Sequence, residues 1–320
     1  MLSMEHIVFL DRDTIRVPMR SPNFPHTWKD YPRTLPEHTI ARLADATIAV
    51  TNKVRLLKAE LSQLPKLRFI AITATGYDNV DVAFARECGI KVANVAHYAQ
   101  QSVPEHVFML MLALRRNLLT FRQAIEKGEW QKSPDVALVQ YPLHDLGGST
   151  LGLIGYGELA REVERRAKAF GMKILIADHK GVKTLRAGRT AFEEVLRQAD
   201  IVSLHCPLNK NTLDLISTPE LEQMKPSAIL INTARGAVVD SEALAVALQE
   251  GRIGGAGIDV LPEEPPRNGN PLLDLKLPNL LITPHVGWAS QQALNVLSEE
   301  VLLNLEAFVR NEARNIVPVP

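Results

Sequence analysis

From Ile7 to Thr283 the chain repeats one pattern, a short β-branched run followed by a turn and an amphipathic stretch of helical period. Ile7–Leu10, Thr47–Thr51, Phe69–Ile72 and Lys91–Val95 read as strands, because each is a β-branched cluster bounded by polar or turn residues. Pro36–Ala44 and Val80–Cys88 between them read as helices. Strands joined through helical crossovers return to the same end of a sheet and pair in parallel, so the alternation predicts βαβ units. A second series follows the long apolar stretch Pro104–Arg122, whose proline stands at a helix-start position. Its strands are Leu151–Ile154, Lys173–Ala177, Ile201–Leu204, Ala228–Ile231, Gly255–Ile258 and Leu280–Thr283, enough for a complete doubly wound sheet. Ser290–Arg310 then reads as one long helix. Its apolar face needs a surface to cover it, and the first series is the expected one, which makes that domain discontinuous.

The sharpest local motif lies at the start of the second series, in Gly155-Tyr156-Gly157-Glu158-Leu159-Ala160. It follows a strand and opens a helix. In that context Gly155 permits a tight turn and Gly157 lets backbone approach a pyrophosphate, while Ala160 stands where helix meets strand. Amides at the helix start then meet the phosphates with the positive end of the helix dipole. Asp178 ends the next strand, 23 positions after Gly155. An acidic residue there accepts from the adenosine ribose hydroxyls and repels a 2′-phosphate, so NAD is expected over NADP. His179 and Lys180 follow at once and soften that preference.

Composition narrows the function classes. Lys plus Arg and Asp plus Glu are both 36, so the net charge is zero and no bulk electrostatic case exists for nucleic acid or an anionic membrane. No apolar run approaches the roughly 20 residues needed to span a bilayer. Met1–Asp13 does not read as a signal peptide. Two cysteines, Cys88 and Cys206, fit a reducing compartment, and a cytoplasmic protein is expected. His205 and Cys206 resemble a metal pair, but no third and fourth ligands accompany them, so no metal is expected. Residues 129–148 include Pro134, Pro142, Gly147 and Gly148 and read as an extended arm. With the helix from Pro104, that arm is the expected contact of a homodimer.

Moving a hydride to a 2-keto acid requires a cation for the carboxylate and carbonyl, and an acid for the forming alkoxide. Three residues of those types stand just beyond predicted strands: Arg235, Glu264 and His285. Carboxyl ends of strands are where open α/β sheets bind ligands. These segments, in this order after the glycine motif, resemble the D-isomer-specific 2-hydroxyacid dehydrogenases, from Ala74-Thr75-Gly76-Tyr77-Asp78 to Thr283-Pro284-His285. The resemblance implies that Arg235 binds the substrate carboxylate and carbonyl and that His285 is the general acid and base. Glu264 would pair with His285 and favour the imidazolium. Glu263 is its rival, but the family's Glu stands directly before the proline. Asp259 resembles the residue that accepts from the nicotinamide carboxamide, Thr233 and Ala234 would line the nicotinamide side, and Cys206 and Pro207 would border the adenine. Gly287 joins this cofactor set, and the amides of Thr75 and Gly76 would grip the carboxylate.

Within the family, Val8-Phe9-Leu10-Asp11, Val50-Thr51-Asn52-Lys53-Val54 and Asn94-Val95-Ala96-His97-Tyr98 resemble the glycerate dehydrogenase or hydroxypyruvate reductase group. Lys53 is then expected to hold the substrate carboxylate or hydroxyl. The fold expected is α/β, with two Rossmann-like domains and a cleft between them. A flavodoxin-like substrate domain takes 1–98 plus 289–320, and an NAD-binding doubly wound parallel sheet takes 99–288. Hydroxypyruvate reduction to D-glycerate is the leading activity. A broad glyoxylate or 2-keto acid reductase, a phosphite-type dehydrogenase and a non-catalytic NAD-sensing, corepressor-like protein are the alternatives.

Overall fold

The computed structural model describes residues 4–318. They divide into two compact units, one of the residues up to Ala99 together with those from Ala289 on, the other Gln100–Trp288.

In the first unit five strands form one parallel sheet: β1 (Glu5–Phe9), β2 (His26–Asp30), β3 (Ile48–Thr51), β4 (Phe69–Ile72) and β5 (Lys91–Ala93). Their order is β2-β1-β3-β4-β5. β3 and β4 are buried along their whole length, and strands covered on both faces read as continuous apolar runs. The sequence pattern does not predict β2. Its residues, His-Thr-Trp-Lys-Asp, are half-buried or exposed throughout, because an edge strand has one neighbour and a solvated side. The helix Gln291–Val309 packs on β4, where Phe308 stacks on Phe69 with ring centroids 4.5 Å apart. Its Leu297, Val301, Leu302 and Leu305 are fully buried, and the Ser290 hydroxyl caps it by accepting from the Ala293 amide at 3.1 Å.

The second unit holds β6 (Thr150–Ile154), β7 (Lys173–Ile176), β8 (Ile201–Leu204), β9 (Ile229–Asn232), β10 (Gly255–Ile258) and β11 (Leu280–Ile282). All pair in parallel in the order β11-β10-β9-β8-β6-β7. Beyond β7 the edge continues as a single parallel bridge between Ala177 and Thr190. That bridge stands where a doubly wound sheet has its third strand. The chain thus runs outward from β6 through β7 to Thr190, then returns to β8 on the other side of β6. The switch point falls between the carboxyl ends of β6 and β8.

Two expectations need correction. The apolar stretch 104–122 is two helices, Ser102–Arg115 and Leu118–Glu126, separated by Asn117 in the left-handed region at φ 51°. Asn is one of the few residues that visit that region readily, so a single Asn within an apolar periodic run ends the first helix. The arm is not wholly irregular either, since Glu129–Lys132 forms one helical turn.

Leu305→Ala would leave a cavity under the terminal helix and cost about 2–5 kcal/mol. The expected result is a lower urea midpoint by circular dichroism. An unmoved midpoint would mean that this helix does not contribute to the first unit's core.

Candidate active site

The turn after β6 shows why its glycines are glycines. Gly155 sits at φ 86°, and a Cβ there would lie 2.6 Å from both the Cys206 nitrogen and the His205 carbonyl carbon. The end of β8 therefore presses directly on the turn. Gly157 is different. A Cβ there would meet nothing within 4 Å, so open space lies before the helix Glu158–Ala169. No side chain caps that helix, and its first-turn amides carry the positive end of the dipole toward the space. Ala160 is fully buried against the sheet. Tyr156 donates its hydroxyl proton to Glu164 and lies beneath the Arg189 guanidinium, 4.7 Å from the ring centroid.

Asp178 lies just past β7, and its carboxylate is enclosed. Oδ1 accepts from the Arg186 Nε at 2.8 Å, the Arg186 Nη2 at 2.5 Å and the His179 amide at 2.8 Å. Oδ2 accepts from the Arg186 amide at 2.8 Å. The Arg186 side chain and amide hold this carboxyl far below the usual carboxylate range. Sequence reasoning missed Arg186, because the loop between β7 and Thr190 carries no periodic signal.

Cys206 and Pro207 follow β8. Burial pushes the Cys206 thiol up to about 11 and the His205 imidazole down to about 4, so both groups are neutral near pH 7. The His205 Nε2 lies 2.9 Å from the Ser203 hydroxyl. Among the described residues no three His, Cys, Asp or Glu side chains come together as metal ligands.

Arg235, Glu264 and His285 follow β9, β10 and β11, three neighbouring strands of one sheet. Asn232, at the end of β9, shapes the first loop: its Oδ1 accepts from the Ala234 amide and its Nδ2 donates to the Arg235 carbonyl, both at 3.0 Å. Arg235 is half-buried and donates from Nη1 to the Ala234 carbonyl at 2.8 Å. At Gly236 a Cβ would fall 1.9 Å from the Leu261 carbonyl carbon. Only glycine lets this loop touch the next one. Leu261 in turn donates its amide to Glu264 Oε1 at 2.9 Å, and Glu264 Oε2 lies 2.6 Å from His285 Nδ1. Glu263 instead accepts from the Asn268 Nδ2 at 3.0 and 3.1 Å. Of the two rivals, Glu264 is the one that meets His285.

His285 itself stands in the left-handed region at φ 54°, an uncommon conformation for a residue with a side chain. Its amide donates to the Asp259 carbonyl at 2.7 Å, and its carbonyl accepts from the Trp288 Nε1 at 2.9 Å. The Asp259 carboxylate gathers the same loop. Oδ1 accepts from the Thr283 hydroxyl at 2.5 Å and the Val286 amide at 3.0 Å, and Oδ2 from the Gly287 amide at 2.9 Å. Burial works against ionisation there, but these bonds and His106, whose Nε2 lies 3.3 Å from Oδ1, hold the carboxyl below its ordinary range. His106 and Ser102, whose hydroxyl donates to the Gly287 carbonyl at 2.6 Å, brace the loop from the helix Ser102–Arg115. The sequence marks His106 only as a helix-start residue. Thr233 is half-buried, but its Oγ1 is buried and unpartnered, which leaves a polar atom for a ligand to satisfy. With the space before Gly157, this makes the second unit fit a dinucleotide.

In the first unit Lys53 follows β3, and Thr75 and Gly76 follow the adjacent β4. Asp11, buried at the end of β1, sets the Lys53 backbone by accepting from the amides of Asn52 at 2.9 Å and Lys53 at 2.7 Å. Burial pushes the Asp11 carboxyl up, while the amides of Lys53, Asn52 and Val54 pull it down. Thr75 donates its hydroxyl to the Val95 carbonyl at 2.9 Å. The Asn52 side-chain Oδ1 and Nδ2 and the Thr73 hydroxyl are buried nearby in sequence with no partner.

An open parallel sheet with space for phosphates at one strand end, and a carboxylate–imidazole pair built from its own loops, marks a dinucleotide-dependent oxidoreductase. Comparison with known proteins specifies which. The family model for the D-isomer specific 2-hydroxyacid dehydrogenase, NAD binding domain, matches residues 108–287. Glycerate dehydrogenase of Methylorubrum extorquens is 46% identical over 97% of this chain and 98% of its own length. Glyoxylate reductase of Thermococcus litoralis is 40% identical over 89% of this chain and 87% of its own. Among solved structures, an acyclic imino acid reductase in complex with NADPH and D-Arg superposes with a TM-score of 0.83 at 28% identity, over 98% of this chain and 100% of that one. The chain belongs to the D-isomer-specific 2-hydroxyacid dehydrogenase family. It is an NAD-dependent oxidoreductase acting on the CH–OH group of small 2-hydroxy acids. No helix among the described residues is long and apolar enough to cross a membrane.

Gly236→Ala must push the Arg235 loop off Leu261. The expected result is a loss of about 100-fold in kcat/KM with secondary structure retained, since displacements near 1 Å carry penalties of that order. Full activity would mean that the two loops need not touch. The folded His205 stays neutral down to about pH 4, whereas the unfolded imidazole takes its proton near 6.5. The unfolded state therefore binds the extra proton in that window, and stability falls as pH is lowered through it. His205→Gln should flatten the decline in urea midpoint between pH 7 and pH 5, and an unchanged decline would refute this.

Proposed function

We propose that this chain reduces hydroxypyruvate to D-glycerate with NADH, reversibly, with His285 as acid and base, Glu264 as its partner and Arg235 as the substrate's cation. The single observation that carries the reading is the 2.6 Å contact of Glu264 Oε2 with His285 Nδ1, on a loop locked against the Arg235 turn. With Nδ1 engaged, Nε2 is the nitrogen that gives its proton to the carbonyl oxygen and recovers it in the reverse direction. Glu264, held at Nδ1, orients the ring and faces the positive charge that His285 carries as the acid. Arg235 holds the carboxylate and draws charge onto the carbonyl oxygen, which leaves C2 electron-poor. The bound cofactor supplies the hydride for C2.

The remaining assignments follow the same reading. The amides of Gly155, Tyr156, Gly157, Glu158 and Leu159 hold pyrophosphate, Cys206 and Pro207 border adenine, and Thr233, Ala234, Asp259 and Gly287 surround the nicotinamide. NADH is the cofactor of this reading, since a carboxylate such as Asp178 on its own repels a 2′-phosphate, and Arg186, lying across it, sets how far that exclusion holds. Lys53, Thr75 and Gly76 bind substrate. Residues 1–98 with 289–320 form the substrate domain and 99–288 the cofactor domain. The chain works in the cytoplasm as a homodimer, for which the arm offers Val136 and Val139, 92% and 83% exposed. The glycerate dehydrogenase name of a relative matched over nearly its whole length favours hydroxypyruvate, and the glyoxylate reductase name of another supports a broader 2-keto acid reductase as the second reading.

NADH oxidation measured with hydroxypyruvate, glyoxylate, pyruvate and 2-ketobutyrate decides between them. The expected outcome is the highest kcat/KM for hydroxypyruvate and, in His285→Asn, a kcat lower by about 10²–10⁴-fold. Even activity across the four would favour the generalist. Binding of NADH without any turnover would favour phosphite-type chemistry or a non-catalytic sensor.

A further inference from the structure

The strand end that carries Asp178 does not present a carboxylate. The Asp178 side chain is 1% exposed and that of Arg186, lying across it, is 54% exposed. Arg186 meets it through Nε and Nη2 together, and its own amide closes the other oxygen. The outward group is therefore a guanidinium. Two of its N–H groups are engaged by Asp178, and a guanidinium has more donors than that in one plane, suited to phosphate oxygens. The loop from His179 to Thr190 adds Lys180, Lys183 and Arg189 and contains no acidic residue. Lys180 is held by the buried Glu220 at 2.7 Å and Arg189 by the Tyr156 ring, so the loop is pinned at both ends of this surface. A bare carboxylate at this position would repel a dianionic phosphate. A carboxylate cancelled by a guanidinium does not, and the surrounding charge attracts one.

We propose that Arg186 is the selectivity-determining residue for the cofactor's adenosine ribose: it neutralises Asp178 and offers its remaining donors to a 2′-phosphate, so the chain accepts a 2′-phosphorylated dinucleotide beside the unphosphorylated one. This rests on the assignment of the second unit's glycine turn as the dinucleotide site. An unphosphorylated ribose needs Asp178 itself. The exposed Arg186 side chain swings aside to admit it, while the backbone amides of His179 and Arg186 keep the carboxylate in place. One residue thus serves two cofactors by moving.

The test is calorimetric titration with ADP-ribose and with 2′-phospho-ADP-ribose, which reads binding without turnover. The wild-type protein should bind both with affinities within about tenfold. In Arg186→Ala the ratio should move toward ADP-ribose by about 10- to 100-fold, as expected for loss of charge-assisted hydrogen bonds to phosphate. Arg186→Lys, which keeps the cation but not the fork, should fall between them, and the ratio of kcat/KM for NADPH and NADH should follow the same order. A ratio that stays put in both variants overturns the proposal, as does a wild type that binds the 2′-phosphorylated probe a thousandfold more weakly. If the wild type fails to bind ADP-ribose at all, the dinucleotide assignment itself falls, and the proposal with it.

Discussion

The carboxyl edge of the second unit's sheet depends on one buried charge. Asp259 has 3% of its surface exposed, and an ionised carboxylate at that depth is tolerable only if donors replace the water it lost. Thr283, Val286, Gly287 and His106 supply them, and the Asp259 carbonyl takes the His285 amide as well. All but His106 lie on the segment that follows β11, so satisfying the charge also determines the path of that segment. His285 is carried into the left-handed region as a result, with its ring turned to Glu264. The resemblance gives Asp259 a role toward the nicotinamide. Its hydrogen bonds add an architectural one, since the same carboxylate holds the loop of His285 in place.

Parallel pairing explains why the chemistry collects where it does. Every strand of the second sheet delivers its following loop to the same edge, so Arg235, Glu264 and His285 arrive from three neighbouring strands without any long excursion of chain. Contacts between successive loops then refine the geometry. Gly236 against Leu261 joins the first two, and Glu264 to His285 joins the last two. At the other side of the sheet, the turn of Gly155 rests on His205 and Cys206 at the switch point, which leaves the space before Gly157 open. Two glycines of one motif thus answer to different neighbours: protein backbone for Gly155, and open space for Gly157.

Much of this was legible in the residues. Strands buried on both faces are short apolar runs, so ten of the eleven strands among the described residues could be read from pattern. The exception, β2, is a polar edge strand whose pairing with β1 no local signal announces. The break at Asn117 was hidden for the opposite reason, because the apolar period continues across it. Arg235, Glu264 and His285 were found because each stands a few residues past a recognisable strand. Arg186 and His106 were not, since one lies in an aperiodic loop and the other looks like any helix-start residue until the helix is packed on the sheet.

The sequence by itself determined the two parallel sheets, the glycine turn and the types of residue along the carboxyl edge. Those follow from periodicity, from the absence of side chains where backbone must turn, and from position relative to strand ends, all of which are local. Only the tertiary structure decided how Glu264 reaches His285, what closes over Asp178 and what Asp259 holds. Each of those depends on hydrogen bonds between residues brought close by the fold, between 8 positions apart for Arg186 and Asp178 and 28 for Gly287 and Asp259. Directional bonds of that kind are set by where backbone and side chains finally lie, and no spacing along the chain encodes them.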